Sequence, residues 1–101
     1  MAFKDDYDFD LLINEAEPLV IEELEKQLGE DENKDVCKCQ DCILDMATLA
    51  LNNIKPKYRS SFIGVVYAQQ YYTGDYRDEV ITAVKNAVKK ISKNPSHETE
   101  K

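Results

Sequence analysis

Cys37, Cys39 and Cys42 stand within six residues in the stretch VCKCQDCILDM, and the chain has no other cysteine. Whatever fold forms must accommodate three thiols at one point of the chain. The C-x-x-C half turns two thiolates towards one ion from a tight turn. The residues after Cys42 read as a helix, so Cys42 stands at or near a helix N-terminus, where free N–H groups favour the thiolate. Soft sulfur ligands select zinc among the available ions. An iron–sulfur cluster usually takes four thiolates. The competing reading is a set of structural or redox thiols without metal.

Tetrahedral zinc needs a fourth ligand. His97 is the only histidine and follows Pro95 in the C-terminal tail, from which it could fold back on the cluster. Asp35, Asp41, Asp45, a water or a group from a partner chain are the other candidates. A water there would leave the site formally open to catalysis. Nothing else in the sequence supports catalysis: H-E-x-x-H, G-x-S-x-G and a phosphate-cradling glycine loop are all missing from a chain with three glycines.

Around the cysteines the pattern is helical. Asn14 caps a first helix, Glu17 closes a capping box, and Pro18 falls in the first turn, where its missing N–H costs little. Val20, Ile21, Leu24 and Leu28 form its apolar face, and Gly29 ends it. Residues 29–35, GEDENKD, make a charged loop. A second helix runs from Cys42 to Ile54 with Ile43, Met46, Ala47, Ala50, Leu51 and Ile54 at helical spacing. Leu44 and Leu49 widen its apolar surface beyond one stripe, which places it centrally or against a second subunit. Lys55 precedes Pro56, so the helix ends before that point. The loop KPKYRSS follows, residues 55–61.

Residues 62–72, FIGVVYAQQYY, suit a helix or a strand near 63–67; the shortage of partner strands favours the helix. After a break at Thr73-Gly74-Asp75, Tyr76 to Lys93 is the clearest helix, striped by Val80, Ala83, Val84, Ala87, Val88 and Ile91. Lys89, Lys90 and Lys93 lie where its dipole favours them. The expected fold is therefore all-α: a single domain of three to four helices over residues 1–101, stapled by zinc, with flexible tails at 1–10 and 96–101.

Charge narrows the partners. The net charge is -7, and residues 1–35 alone carry 13 acidic against 3 basic side chains. A phosphate-binding surface must be basic, so a nucleic-acid polymer is not the expected partner. Lys55, Lys57 and Arg59 form a short basic cluster that reads either as a solvated loop or as a hold for one small anion. No apolar run is long enough to span a membrane and no signal-peptide pattern follows Met1, which predicts a cytoplasmic protein. Thiols stay reduced there, in keeping with metal or redox chemistry.

The stretch CKCQDCILDMATLALNNIKPKYRSS resembles the late-competence ComFB family of small bacterial proteins. A cysteine cluster feeds a helix containing Ala50-Leu51-Asn52, then Pro56-x-Tyr58, then a glycine. The preceding NEAEPLVIEELEKQL and the closing helix extend the likeness over residues 11–95. The resemblance implies a mostly helical homodimer, with structural zinc in members that carry the cysteines. It also implies that some members are receptors for cyclic dinucleotides, chiefly cyclic di-GMP, acting on motility, pili or competence through a downstream protein. Some relatives supply a fourth cysteine from the C-terminal tail. This chain has none, which makes His97 the leading substitute.

A cyclic dinucleotide offers two phosphates and two purine faces. Ammonium and guanidinium groups suit the first, tyrosine rings and arginine planes the second. Lys55, Lys57, Tyr58 and Arg59 carry such groups on one loop, and Arg77 beside Tyr76 offers more. Tyr58 could instead pack into the core at the helix–loop junction, and Asn52 could simply close the second helix. The expected function is non-enzymatic: a cytoplasmic receptor for cyclic di-GMP or cyclic di-AMP. The alternatives are a structural adaptor without a small ligand and, more remotely, a zinc-dependent hydrolase.

Overall fold

The computed structural model describes residues 2–60 and 74–94. Among them are three α-helices, α1 (Ala16–Leu28), α2 (Gln40–Leu51) and α3 (Gly74–Lys93), and two short strands, β1 (Ile13–Asn14) and β2 (Tyr58–Arg59). The mostly helical fold agrees with the sequence. The helix or strand expected over 62–72, the tail at 96–101 and His97 lie outside the described residues.

The three helices pack against one another around a single core. Leu19, Val20, Leu24 and Leu28 of α1 meet Cys42, Met46 and Ala50 of α2 and Val80, Ala83, Val84, Ala87 and Val88 of α3. The stripe expected on α3 is the buried one. On α1 the apolar face is corrected: Leu19 is fully buried, whereas Ile21 is 60% exposed. Burial there follows Ala16, Leu19, Val20, Glu23, Leu24, Gln27 and Leu28, a three-and-four rhythm from which Ile21 is rotated away.

Local chemistry sets the helix ends. The Asn14 side-chain oxygen accepts the Ala16 N–H at 3.1 Å from β1, whereas Glu15, the residue that flanks α1, makes no side-chain cap. Glu17 is exposed and does not close a capping box with Asn14. Pro18 occupies the first turn. Helix α1 ends at Gly29, but without a left-handed residue: Gly29 has φ -82 and its N–H reaches the carbonyls of Glu25 and Lys26. Asn33 then donates to the Gln27 carbonyl at 2.7 Å, covering another open acceptor of the last turn. Helix α2 stops at Leu51, three residues short of Ile54, with Asn52 closing it through its N–H to Thr48. Helix α3 begins at Gly74, whose φ of +81 suits only glycine without strain.

Strands β1 and β2 pair antiparallel, Ile13 opposite Arg59 and Asn14 opposite Tyr58. The KPKYRSS segment is thus not a plain loop, since part of it is tied to the chain just before α1. Ahead of β1, residues 3–6 and 9–11 form 3-10 turns, with Phe3, Tyr7, Phe9, Leu11 and Leu12 all exposed.

Between α1 and α3 lies a buried polar strip. Gln27 donates to Glu23 at 2.8 Å and to the Ile81 carbonyl at 3.1 Å, and Arg77 reaches Glu23 at 3.3 Å. Every member has a partner, as burial of polar groups requires. The strip fixes the two helices in one register.

Candidate metal centre

The loop entering α2 brings the three thiols together. Their Sγ atoms all lie within 4.8 Å of one another. Three sulfurs about 2.3 Å from a tetrahedral zinc sit about 3.8 Å apart, so small side-chain rotations suffice to close the site. The backbone explains the convergence. Cys39 caps α2 with extended dihedrals (φ -73, ψ 166), and its Sγ accepts the Cys42 N–H at 3.4 Å. Its carbonyl accepts the Ile43 N–H at 3.0 Å. Cys42, one turn into the helix, is 1% exposed and belongs to the core. Cys37 is half-buried and packs against that core from the loop.

The approach is held by Lys38. Its ammonium donates to the carbonyls of Asn33, Val36 and Lys34 at 3.0, 3.1 and 3.4 Å. This folds residues 33–38 into a tight arch over the side chain. A lysine between two candidate ligands gives no such sign in the sequence, and its role is legible only in three dimensions.

The thiols are electrostatically unequal. Cys37 is held below the ordinary thiol range, first by the Cys39 N–H, then by hydrogen bonds from the Cys39 and Cys42 side chains, with help from the Lys38 ammonium. Burial pushes Cys42 up to about 12, and sharing the site with the other two thiols adds to this. A bound cation would remove that inequality, because a coordinating thiol is deprotonated outright. The donor set, its spacing and its core anchorage fit a soft divalent cation. Among the described residues, Asp35, Asp41 and Asp45 do not join the cluster.

The second set of expected site residues lies at the other end of α2. The segment 55–59 is stitched to the starts of α1 and α3. Lys57 N–H donates to Asn14 Oδ1 at 2.8 Å, the Lys57 carbonyl accepts the Glu15 N–H at 2.7 Å, and Tyr76 OH donates to the Lys55 carbonyl at 2.6 Å. The Lys57 ammonium lies 4.9 Å from the centre of the Tyr76 ring. Arg59 pairs with the buried Glu15. Arg77 pairs with Glu22 and Glu23 on α1, well away from the Arg59 pairing. Both arginines expected to meet phosphate are thus engaged by carboxylates. Lys55 is exposed, and Tyr58 is 61% exposed rather than packed into the core. Asn14, Glu15 and Tyr76 hold this segment, and no local pattern announces them, because their partners lie 21 to 44 residues away.

No helix among the described residues is long and apolar enough to cross a membrane. No curated protein matches the chain. The fold is similar to that of the late competence protein ComFB from Bacillus subtilis, with a TM-score of 0.67 and 24% identity over 84% of this chain and 94% of that one. The late competence development protein ComFB family matches residues 13–95, which takes in all three helices, the thiol cluster and the stitched segment. That span covers most of the chain, and the protein belongs to this family.

Proposed function

We propose that the protein is a non-enzymatic signalling module whose fold is stapled by one zinc ion and whose stitched segment receives a cyclic dinucleotide. The convergence of three thiols on the start of α2 supports the staple. Zinc held by Cys37, Cys39 and Cys42 neutralises buried sulfur charge and ties the arch over residues 33–38 to the core. His97 completes the coordination. With Cys42 in the core and the cluster at a helix cap, the ion has a structural role.

The observation that carries the receptor reading is the fixed backbone of residues 55–59 beside an exposed ring and an exposed ammonium, Tyr58 and Lys55. A preorganised aromatic face stacks a base at little entropic cost. Arg59 supports this segment through Glu15 and Arg77 braces α3 against α1 through Glu22 and Glu23, so each reaches phosphate only by exchanging its carboxylate. Cyclic di-GMP is the first candidate, as the resemblance implies, and cyclic di-AMP the second. Two copies associate through the apolar surface of α2, where Leu44 is 54% exposed, and the module acts in competence, pili or motility through a further protein.

Isothermal titration of the zinc-loaded protein with each cyclic dinucleotide tests the receptor. Heat or a chemical-shift change with either supports it. Silence with both at high concentration replaces it with a structural adaptor. Equilibrium sedimentation tests the pairing of copies: a dimer that Leu44→Asp converts to a monomer is expected, and a monomeric parent removes this part of the reading.

A further inference from the structure

All three thiols adjoin one another, but only Cys39 and Cys42 belong to α2, as its cap and its first turn. Cys39 is the residue that caps α2 and is exposed, whereas Cys42 lies one turn inside the same helix and is sealed in the core. The Cys42 N–H points at the Cys39 sulfur at 3.4 Å, and the two Sγ atoms lie within 4.8 Å. A C-x-x-C pair at a helix N-terminus, outer sulfur accessible and inner sulfur shielded, suits thiol–disulfide exchange.

We infer that this pair is a redox modification site: a low-molecular-weight disulfide of the glutathione class converts Cys39 and Cys42 to an intramolecular disulfide and thereby expels the metal ion. Loss of the ion rests on the zinc reading above; the pairing of the two cysteines does not. The Cys39 thiolate attacks one sulfur of the reagent. The reagent S–S bond breaks, one thiolate leaves, and a mixed disulfide stands on Cys39. The Cys42 sulfur attacks the Cys39 sulfur, and its proton passes to the second reagent sulfur, which leaves as a thiol. Two protein thiols become one disulfide while one reagent disulfide becomes two thiols, so atoms and electrons balance. Only Cys37 then remains as a thiolate ligand, and one thiolate does not hold a structural ion. Closure between Cys37 and Cys39 is disfavoured, since a single residue separates them and Cys39 must keep its extended capping geometry.

The experiment uses the full chain. Zinc per chain is first measured on reduced protein. Glutathione disulfide is then added in graded glutathione buffers, with a coloured chelator reading zinc release and peptide mapping reading the crosslink. One ion released for each Cys39–Cys42 disulfide formed is expected, with loss of two hydrogens and recovery of metal on addition of dithiothreitol. Cys37→Ser keeps the crosslink and Cys39→Ser loses it. A dominant crosslink to Cys37, glutathione lodged on Cys39 without resolution, or a cluster that does not react overturns the inference. Reduced protein without zinc overturns the metal reading instead, and mapping still decides the pairing.

Discussion

Two segments at opposite ends of α2 are held in place by opposite means. The thiol arch at residues 33–42 is organised by contacts close in sequence: Lys38 to Asn33, Lys34 and Val36, and Cys39 to Cys42. The stitched segment at 55–59 is organised by partners 21 to 44 residues away, Asn14, Glu15 and Tyr76. The first presents three like donors to one point. The second has its own arginine, Arg59, already engaged by Glu15 and leaves a ring and a lysine outward. A site built for an ion needs donor atoms converging on one point. A site built for a larger ligand needs a fixed backbone and a few side chains left at the surface.

The largest effect expected from breaking this contrast is at the arch. Cys39→Ser removes a thiolate ligand while leaving a hydroxyl that can still cap α2, so zinc falls from about one ion per chain to near none. Structural zinc supplies about 10–16 kcal/mol in small zinc-finger peptides. Here the apolar core carries part of the fold, so a lowered thermal midpoint and loosened residues 35–45 are expected rather than global unfolding. Elemental analysis that finds no zinc in parent protein purified without chelator ends the metal reading.

The next effect distinguishes support from binding in the second segment. Arg59→Ala leaves Glu15, 8% exposed at its side chain, without its cationic partner. An uncompensated buried group of this kind costs about 1–3 kcal/mol. Arg77→Ala should do the same to Glu23, which keeps only the Gln27 amide. Urea titration measures both. If neither variant loses stability, the arginines are available to a ligand after all, and the two segments are less different than their contacts imply.

Tyr58→Ala and Lys55→Ala complete that test. Both side chains are exposed, so stability should move by less than about 0.5 kcal/mol. Loss of one stacked base costs about 1–3 kcal/mol, which weakens cyclic dinucleotide binding by about 5- to 150-fold for Tyr58→Ala. Lys55→Ala should weaken it less, and the deficit should shrink as salt rises. Equal affinity of Tyr58→Ala and parent in titration calorimetry moves any ligand site away from this segment.

Legibility in the sequence follows the same divide. The stripe of α3 and the C-x-C-x-x-C cluster are local patterns, and both stand in the structure as the sequence implies. On α1 the sequence offers Leu19, Val20 and Ile21 as adjacent apolar residues, and local pattern alone does not say which faces inward. The choice of Leu19 over Ile21 comes from where α2 and α3 pack. Strands β1 and β2 are two residues each, too short to show alternation. Large rings usually gain by burial, so the sequence leaves core packing open for Tyr58 beside the ligand-facing reading. Pairing of Asn14 with Tyr58 and of Ile13 with Arg59 instead fixes the segment where the ring stays outward.

The smallest effect concerns the fourth ligand. If His97 completes the zinc sphere, His97→Ala still leaves three thiolates, and a water takes the vacated position. The ion is then retained but less firmly, since even outer-shell partners are worth about 10–100-fold in metal affinity. Release to an excess of chelator should quicken by about tenfold, while zinc content before the challenge stays at about one per chain. Arg59→Ala, whose partner is Glu15 at the far end of α2, provides the control and should leave release unchanged. An unchanged rate in His97→Ala passes the fourth position to a water or a group of a second copy. Dilution separates the last of these, because a ligand shared between copies makes zinc retention depend on protein concentration.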